Sequence, residues 1–269
     1  MSYKDFSFEV DGSVGVMTLN RPEKLNALSP GINHGLFSVT KEMEENTEIR
    51  ALVLRGEGRA FCAGGDVSGF PVGEENREKR EEGAKNRKPA SESSTPLALR
   101  NCPKLIVGAL HGFAVGGGLS LALATDIRIA AEGTKLAPIQ VRRGILPDMG
   151  LTHLLSRVVG AQKAFEIIVR TANGGFVEAE EALDLGLVSK VVPLNRLNDE
   201  TMELAHSIAS GPSLAYKFAK IGIYSALEND LEYSANFEGP MISQCFASKD
   251  CEESSKAFLE KRTPVFIGR

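Results

Sequence analysis

Apolar and polar residues alternate over Phe6-Ser-Phe-Glu-Val and again over Val14-Gly-Val-Met-Thr-Leu, on either side of Asp11-Gly12. A period of two interrupted by Asp-Gly predicts an opening β-hairpin. From Ser29 the period lengthens to that of a helix, with Pro30 in the first turn, and runs to about Asn46. Short apolar runs at 51–55, 105–110, 127–131 and 188–192 predict buried strands. Helical spacing recurs at 151–159, 161–170 and 177–186, and then without interruption by strands at 201–210, 214–229, 231–246 and 252–261. Strand and helix thus alternate through the first two-thirds, and the last third is helical. This predicts an α/β core over 1–195 followed by a helical C-terminal segment over 196–269.

Two stretches interrupt this pattern with glycine, and each directly follows a predicted strand. One is Gly56-Glu-Gly-Arg-Ala-Phe-Cys-Ala-Gly-Gly-Asp66. The other runs from Leu110-His-Gly-Phe-Ala-Val into Gly116-Gly117-Gly118 and the helix-forming string Leu119-Ser-Leu-Ala-Leu-Ala. Glycines at a strand-to-helix turn let backbone N–H groups meet a ligand, with the helix dipole adding partial positive charge. Phosphate binding, oxyanion stabilisation and plain close packing all use such a turn. The triplet lacks GxGxxG spacing, and no Lys-Ser/Thr follows it. Between the loops lie a run of mixed charge from Glu74 to Lys88 and a Ser/Pro-rich stretch from Pro89 to Pro96. Both read as solvated surface placed where it could cover a site. Residues 133–150 read as irregular, with Pro138 and Pro147.

Charge and cysteine content narrow the chemistry. A net charge of −4 and a pI near 5.7 leave no basic footprint for nucleic acid or an anionic membrane. Cys62, Cys102, Cys245 and Cys251 have neither CxxC spacing nor a histidine cluster beside them, so no metal site is expected and reduced thiols are. No apolar run reaches the ~20 residues of a membrane span, and the N-terminus has no signal-peptide core, so a cytoplasmic protein is expected.

Read together, five ordered motifs carry a resemblance: Asn20-Arg-Pro-Glu-Lys-Leu-Asn-Ala-Leu, Arg59-Ala-Phe-Cys-Ala-Gly-Gly-Asp, His111-Gly-Phe-Ala-Val-Gly-Gly-Gly, Ala124-Thr-Asp-Ile-Arg-Ile-Ala and Glu178-Ala-Glu-Glu-Ala-Leu-Asp-Leu-Gly-Leu-Val. Phe258-Leu-Glu-Lys-Arg adds a sixth. The chain resembles the crotonase superfamily of enoyl-CoA hydratases and isomerases over nearly its whole length. The resemblance implies a crotonase-type ββα spiral core, a trimer or dimer of trimers, and an acyl-CoA thioester carried as substrate with no separate cofactor. It implies an oxyanion hole from the backbone N–H groups of Ala63 and Gly117. It also implies CoA contacts at Lys24, Leu25, Ala27 and around Gly65-Asp66, with Phe258 and Lys261 reaching the CoA of a neighbouring subunit.

The two glutamates of the family's hydratases fall on Ser120 and Gln140, neither of which titrates usefully near neutral pH. The chain instead offers Asp148, in Arg143-Gly-Ile-Leu-Pro-Asp-Met-Gly, at a position that carries an acid in isomerase and dehalogenase branches of the family. One carboxylate suffices for a 1,3-proton shift, so the first expectation is an enoyl-CoA double-bond isomerase, with Ser120 and Gln140 as possible pocket residues. Hydration, hydrolysis or dehalogenation with Asp148 as nucleophile or base, and acyl-CoA binding without catalysis, stand as alternatives. His111 reads as structural, Cys62 as a buried filler, and His153 as a candidate for the pocket wall. Phe70, Leu97 and Ile145 are candidate apolar lining.

Overall fold

The computed structural model describes residues 4–66, 76–85 and 94–268. The predicted hairpin is β1 (Phe6–Asp11) and β2 (Val14–Leu19), antiparallel with Asp11 opposite Val14. From β2 onward the main sheet is parallel, through β3 (Ala51–Gly56), β4 (Leu105–Leu110), β6 (Ile127–Ala131) and β9 (Lys190–Val192), in the order β1-β2-β3-β4-β6-β9. Its central strands are apolar on both sides because both sides are covered. Met17, Leu19, Leu52, Leu54 and Ile106 face α1 (Pro30–Glu45) and its neighbours through Ile32, Leu36, Val39 and Met43. Val14, Val16, Ala51, Val53 and Val107 face Ala205, Ile208 and Ala209 of α7 (Leu197–Ala209). The helical tail is therefore packed on the sheet from its first helix.

Ser29 caps α1 by accepting from the Ile32 N–H at 3.1 Å, with Pro30 at the first position, as the sequence predicts. The 151–172 stretch is one element, α5 (Leu151–Ala172), broken at Gly160 by φ 76°, ψ 161°. The sequence divides it there into two helices, which is the same geometry. The 133–150 segment is more ordered than expected. It holds β7 (Lys135–Ala137) and a 3-10 turn over Ile139–Arg143. β7 joins β5 (Phe113–Val115) and β8 (Val177–Glu178) in a second, three-stranded sheet.

The described part of the mixed-charge run is helical, α2 (Arg77–Lys85), with Arg77 and Glu81 paired at 2.9 Å one turn apart. Ser94 caps a helix within the stretch expected as solvated surface, α3 (Thr95–Asn101). Residues 74–75 and 86–93 of this segment, and Phe70, lie outside the described residues. α4 (Gly117–Ala124) is buried on every side, and α6 (Ala179–Asp184) is a short helix before β9. α8 (Ser213–Ala226), α9 (Leu231–Phe246) and α10 (Lys249–Glu260) complete the chain, and no residue of α9 is buried. No described helix is long and apolar enough to cross a membrane.

Candidate active site

The site is assembled where the two glycine loops meet. Cys62 N–H donates to Phe113 O at 2.9 Å and Val115 N–H donates to Cys62 O at 3.1 Å, which zips the first loop onto β5. A Cβ on Gly118 would stand 2.2 Å from Cys62 O, so α4 approaches this loop only because the residue is glycine. The Asn20–Leu28 motif docks on the same loop. Its chain turns through left-handed Leu25 (φ 50°) and Asn26 (φ 55°), held by the buried Asn26 amide donating to Ala60 O at 2.7 Å and to Glu57 O at 2.9 Å. Arg21 ties the pieces together, donating to Ala27 O at 2.8 Å and to Asp66 Oδ2 at 3.1 Å.

This docking decides which backbone donors remain for a ligand. Ala63 N–H, expected as an oxyanion donor, is bonded to Leu25 O at 2.9 Å. Ala63 N–H is therefore not free for a ligand, contrary to that expectation. Leu28 accepts from Asp66 N–H at 3.3 Å and donates to Gly64 O at 2.7 Å, forming an isolated parallel bridge with Gly65. In such a bridge the N–H of the bridged residue turns away from its partner. Gly65 N–H has no acceptor among the described residues, and neither has Gly117 N–H at the first turn of α4.

Gly65 and Gly117 line one cleft of about 470 Å³, together with Lys24, Ala27, Ala63 and Asp66. Its far wall carries Gln140, Ile145, Asp148 and Met149. Asp148 is half-buried, and its Oδ1 accepts from Gln140 Nε2 at 3.3 Å. Ser120, fully buried, is not in the wall. Its hydroxyl donates to the Asp148 carbonyl at 3.3 Å and so fixes the loop from behind. Asp66 lines the cleft with its carboxylate engaged by Arg21. Leu25 contributes its carbonyl to Ala63 rather than a wall. Phe258 and Lys261 do not line this cleft, and Phe258 is 82% exposed at the far end of α10.

Sequence reasoning missed Arg143 and Met149. Of the Arg142-Arg143 pair, Arg142 donates to Thr171 O at 2.8 Å and to Gly175 O at 2.9 Å, while Arg143 faces the cleft. A dibasic pair before Gly144 was the available signal. Met149 (φ 57°) and Gly150 (φ 74°) are both left-handed, turning the chain from the cleft into α5. A second cavity, about 410 Å³, begins on the other side of Met149 and is lined by Leu97 and His153. Among the other candidates, burial pushes the Cys62 thiol up to about 12, so it is inert as a nucleophile. His111 is buried with Nε2 3.0 Å from Gly58 O, and burial lowers its pKa, as for a structural imidazole. No cluster of three or more metal-ligating side chains occurs among the described residues.

The comparisons with known proteins identify the family. A profile of the family described as enoyl-CoA hydratase/isomerase matches residues 9–269. The short-chain-enoyl-CoA hydratase of Clostridium acetobutylicum is 34% identical, the match spanning 97% of each chain. The crystal structure of enoyl-CoA hydratase from Bacillus anthracis superposes with a TM-score of 0.86 at 32% identity, covering 99% of this chain and 100% of that one. That of enoyl-CoA hydratase from Mycobacterium smegmatis gives 0.83 at 29%, covering 98% and 99%. The fold is the crotonase fold, and the chain is a member of the enoyl-CoA hydratase/isomerase family.

Proposed function

We propose that the protein is an acyl-CoA-processing enzyme that shifts the double bond of an enoyl-CoA, with Asp148 as its single acid–base group. One observation carries this reading: the Asp148 carboxylate shares a cleft with two glycine N–H groups that have no acceptor among the described residues. The thioester oxygen sits between Gly65 N–H and Gly117 N–H. Asp148 takes the proton from C2, the C2–H pair forms a C1–C2 π bond, and the carbonyl π pair moves onto that oxygen. This gives a dienolate in which the C3–C4 bond is still double. On its collapse the C1–C2 pair becomes the C2–C3 π bond and the C3–C4 pair takes up a proton at C4. The same carboxyl returns the proton at C4. Each N–H donor supplies ~3 kcal/mol to the transition state, and the positioned carboxyl supplies about 10²–10⁴ in rate. Lys24 and Arg143 are the cations at this cleft for the phosphates of CoA, and Ala27 and Gly65 form wall beside them.

A trimer or dimer of trimers completes the reading. It is supported by the exposed apolar side chains of Leu231, Ile242 and Phe246 on α9, which has no buried residue. Phe258 and Lys261 then serve a neighbouring subunit's CoA.

Hydration is the second reading. It is favoured by the names of the relatives and by Gln140 Oε1, which is buried without a donor and open to pairing with a water molecule. The absorbance of the conjugated thioester separates the two. A rise with 3-hexenoyl-CoA supports isomerisation. A fall with 2-hexenoyl-CoA and no rise with the 3-isomer replaces it by hydration. Release of free thiol would indicate hydrolysis, and silence in all three assays leaves binding alone.

A further inference from the structure

The second cavity belongs to no part of the mechanism above, yet it shares a wall with it. Met149 lines both spaces, and the residues on either side of it face one each: Asp148 the cleft, Gly150 the cavity. An acyl chain held with C2 beside Asp148 therefore has one residue to pass before it enters a partly open cavity of about 410 Å³.

The charged groups around that volume are mostly paired within the protein, the buried Arg100 Nε being the exception. Glu228 accepts from Arg157 at 3.0 Å and lies 3.4 Å from His153 Nε2. Arg100 donates to Leu123 O at 3.1 Å and stacks 3.9 Å over the Tyr224 ring, while Tyr224 donates to Asp126 at 2.5 Å. What remains for a ligand is the apolar surface of Pro96, Leu97, Leu154 and Leu227 with the thioether of Met149. A pocket of this size and lining suits a hydrocarbon group rather than a carboxylate or a sugar.

We propose that this cavity receives the distal part of the substrate's acyl group, and that the protein acts on acyl-CoA esters whose apolar acyl group extends beyond four carbons. The assignment rests on the reading of the cleft as an acyl-CoA site. Each methylene that passes Met149 gains about fourfold in affinity through burial. Leu97 and Leu227 stand at the cavity's half-exposed edge, 42% and 40% accessible, so tryptophan at either position fills the space without entering the core.

The test is calorimetric titration with CoA, butyryl-CoA, hexanoyl-CoA and octanoyl-CoA, saturated esters that cannot turn over. Wild type is expected to bind octanoyl-CoA at least tenfold more tightly than butyryl-CoA. Leu97→Trp and Leu227→Trp are expected to erase that ratio, with circular dichroism reporting on folding. Benzoyl-CoA and phenylacetyl-CoA, run alongside, tell a ring from a chain. Equal affinity for butyryl and octanoyl esters, or a gain that survives both tryptophans, overturns the assignment. An enzyme that isomerises 3-hexenoyl-CoA while showing flat affinities loses this inference and keeps the proposed function. Chain-length-dependent binding without turnover does the reverse, and failure to bind any ester removes both.

Discussion

Asp126 and Asp148 stand at the two ends of the segment that leads from α4 to α5, and their surroundings are opposite. Asp126 is enclosed by donors: Lys220 Nζ at 2.8 Å, Tyr224 hydroxyl at 2.5 Å and Ile106 N–H at 2.7 Å. Its side chain is 7% exposed and that of Lys220 is 2% exposed, so the pair joins α8 to the start of β4 and β6 in the main sheet with every oxygen committed. Asp148 has one long amide contact, from Gln140, and an open cleft before it. A carboxylate that is fully bonded holds a fold together. One that is left with an unanswered oxygen beside free N–H donors is available for chemistry.

That contrast is broken most severely at Asp126. Asp126→Ala strands the Lys220 ammonium in a buried site, a loss of about 3–5 kcal/mol in unfolding free energy. The folded fraction is expected to retain its specific activity. Removing both charges, with Asp126→Ala and Lys220→Met together, is expected to recover much of the loss. Denaturant titration beside a turnover assay reads both effects, and an Asp126→Ala protein that is stable but inactive would erase the distinction between the two aspartates.

The oxyanion donors sharpen it next. A Cβ at Gly117 would lie 2.7 Å from Leu28 Cδ1 and 2.8 Å from Met149 Sδ, whereas one at Gly65 meets nothing within 4 Å. Gly117→Ala is therefore expected to push the Leu28 and Met149 side chains aside, disturbing the cleft wall next to Asp148, and to cost up to about 10²-fold in kcat, with Gly65→Ala changing kcat less than about threefold. Steady-state kinetics on the two variants checks this, and equal losses would contradict the packing argument.

The smallest effect concerns His111, whose pKa burial holds below its ordinary value. The folded state binds fewer protons there than the unfolded chain. Stability is intact above about pH 6.5 and is lost as the pH falls from there through the lower folded value. His111→Gln should flatten part of that acid slope. Melting temperatures between pH 5 and 7 measure it, and an unchanged slope would place the dependence elsewhere.

Much of this arrangement is legible in the residues themselves. The hairpin, the α1 cap at Ser29 and the break at Gly160 follow from local period and turn chemistry, because each is decided within a few residues. The second sheet is not legible. Its strands are two or three residues long and sit in Gly-, Ala- and Pro-rich sequence, so only their partners define them. The same limit explains the shift from Ala63 to Gly65. Three small residues in Ala63-Gly-Gly all present an N–H; that of Ala63 is taken by Leu25 O and that of Gly64 by the Cys62 sulfur, which leaves Gly65. Asp148 and Gly117 are singled out by the family resemblance rather than by their turns, and both line the cleft.

The most direct measurement compares wild type with Asp148→Asn, following the conversion of 3-hexenoyl-CoA to its conjugated isomer while measuring hexanoyl-CoA affinity by calorimetry. The account predicts a fall in kcat of about 10³-fold with affinity unchanged within a few-fold. An Asp148→Asn enzyme that turns over at the wild-type rate would contradict it and move the proton transfer to another group.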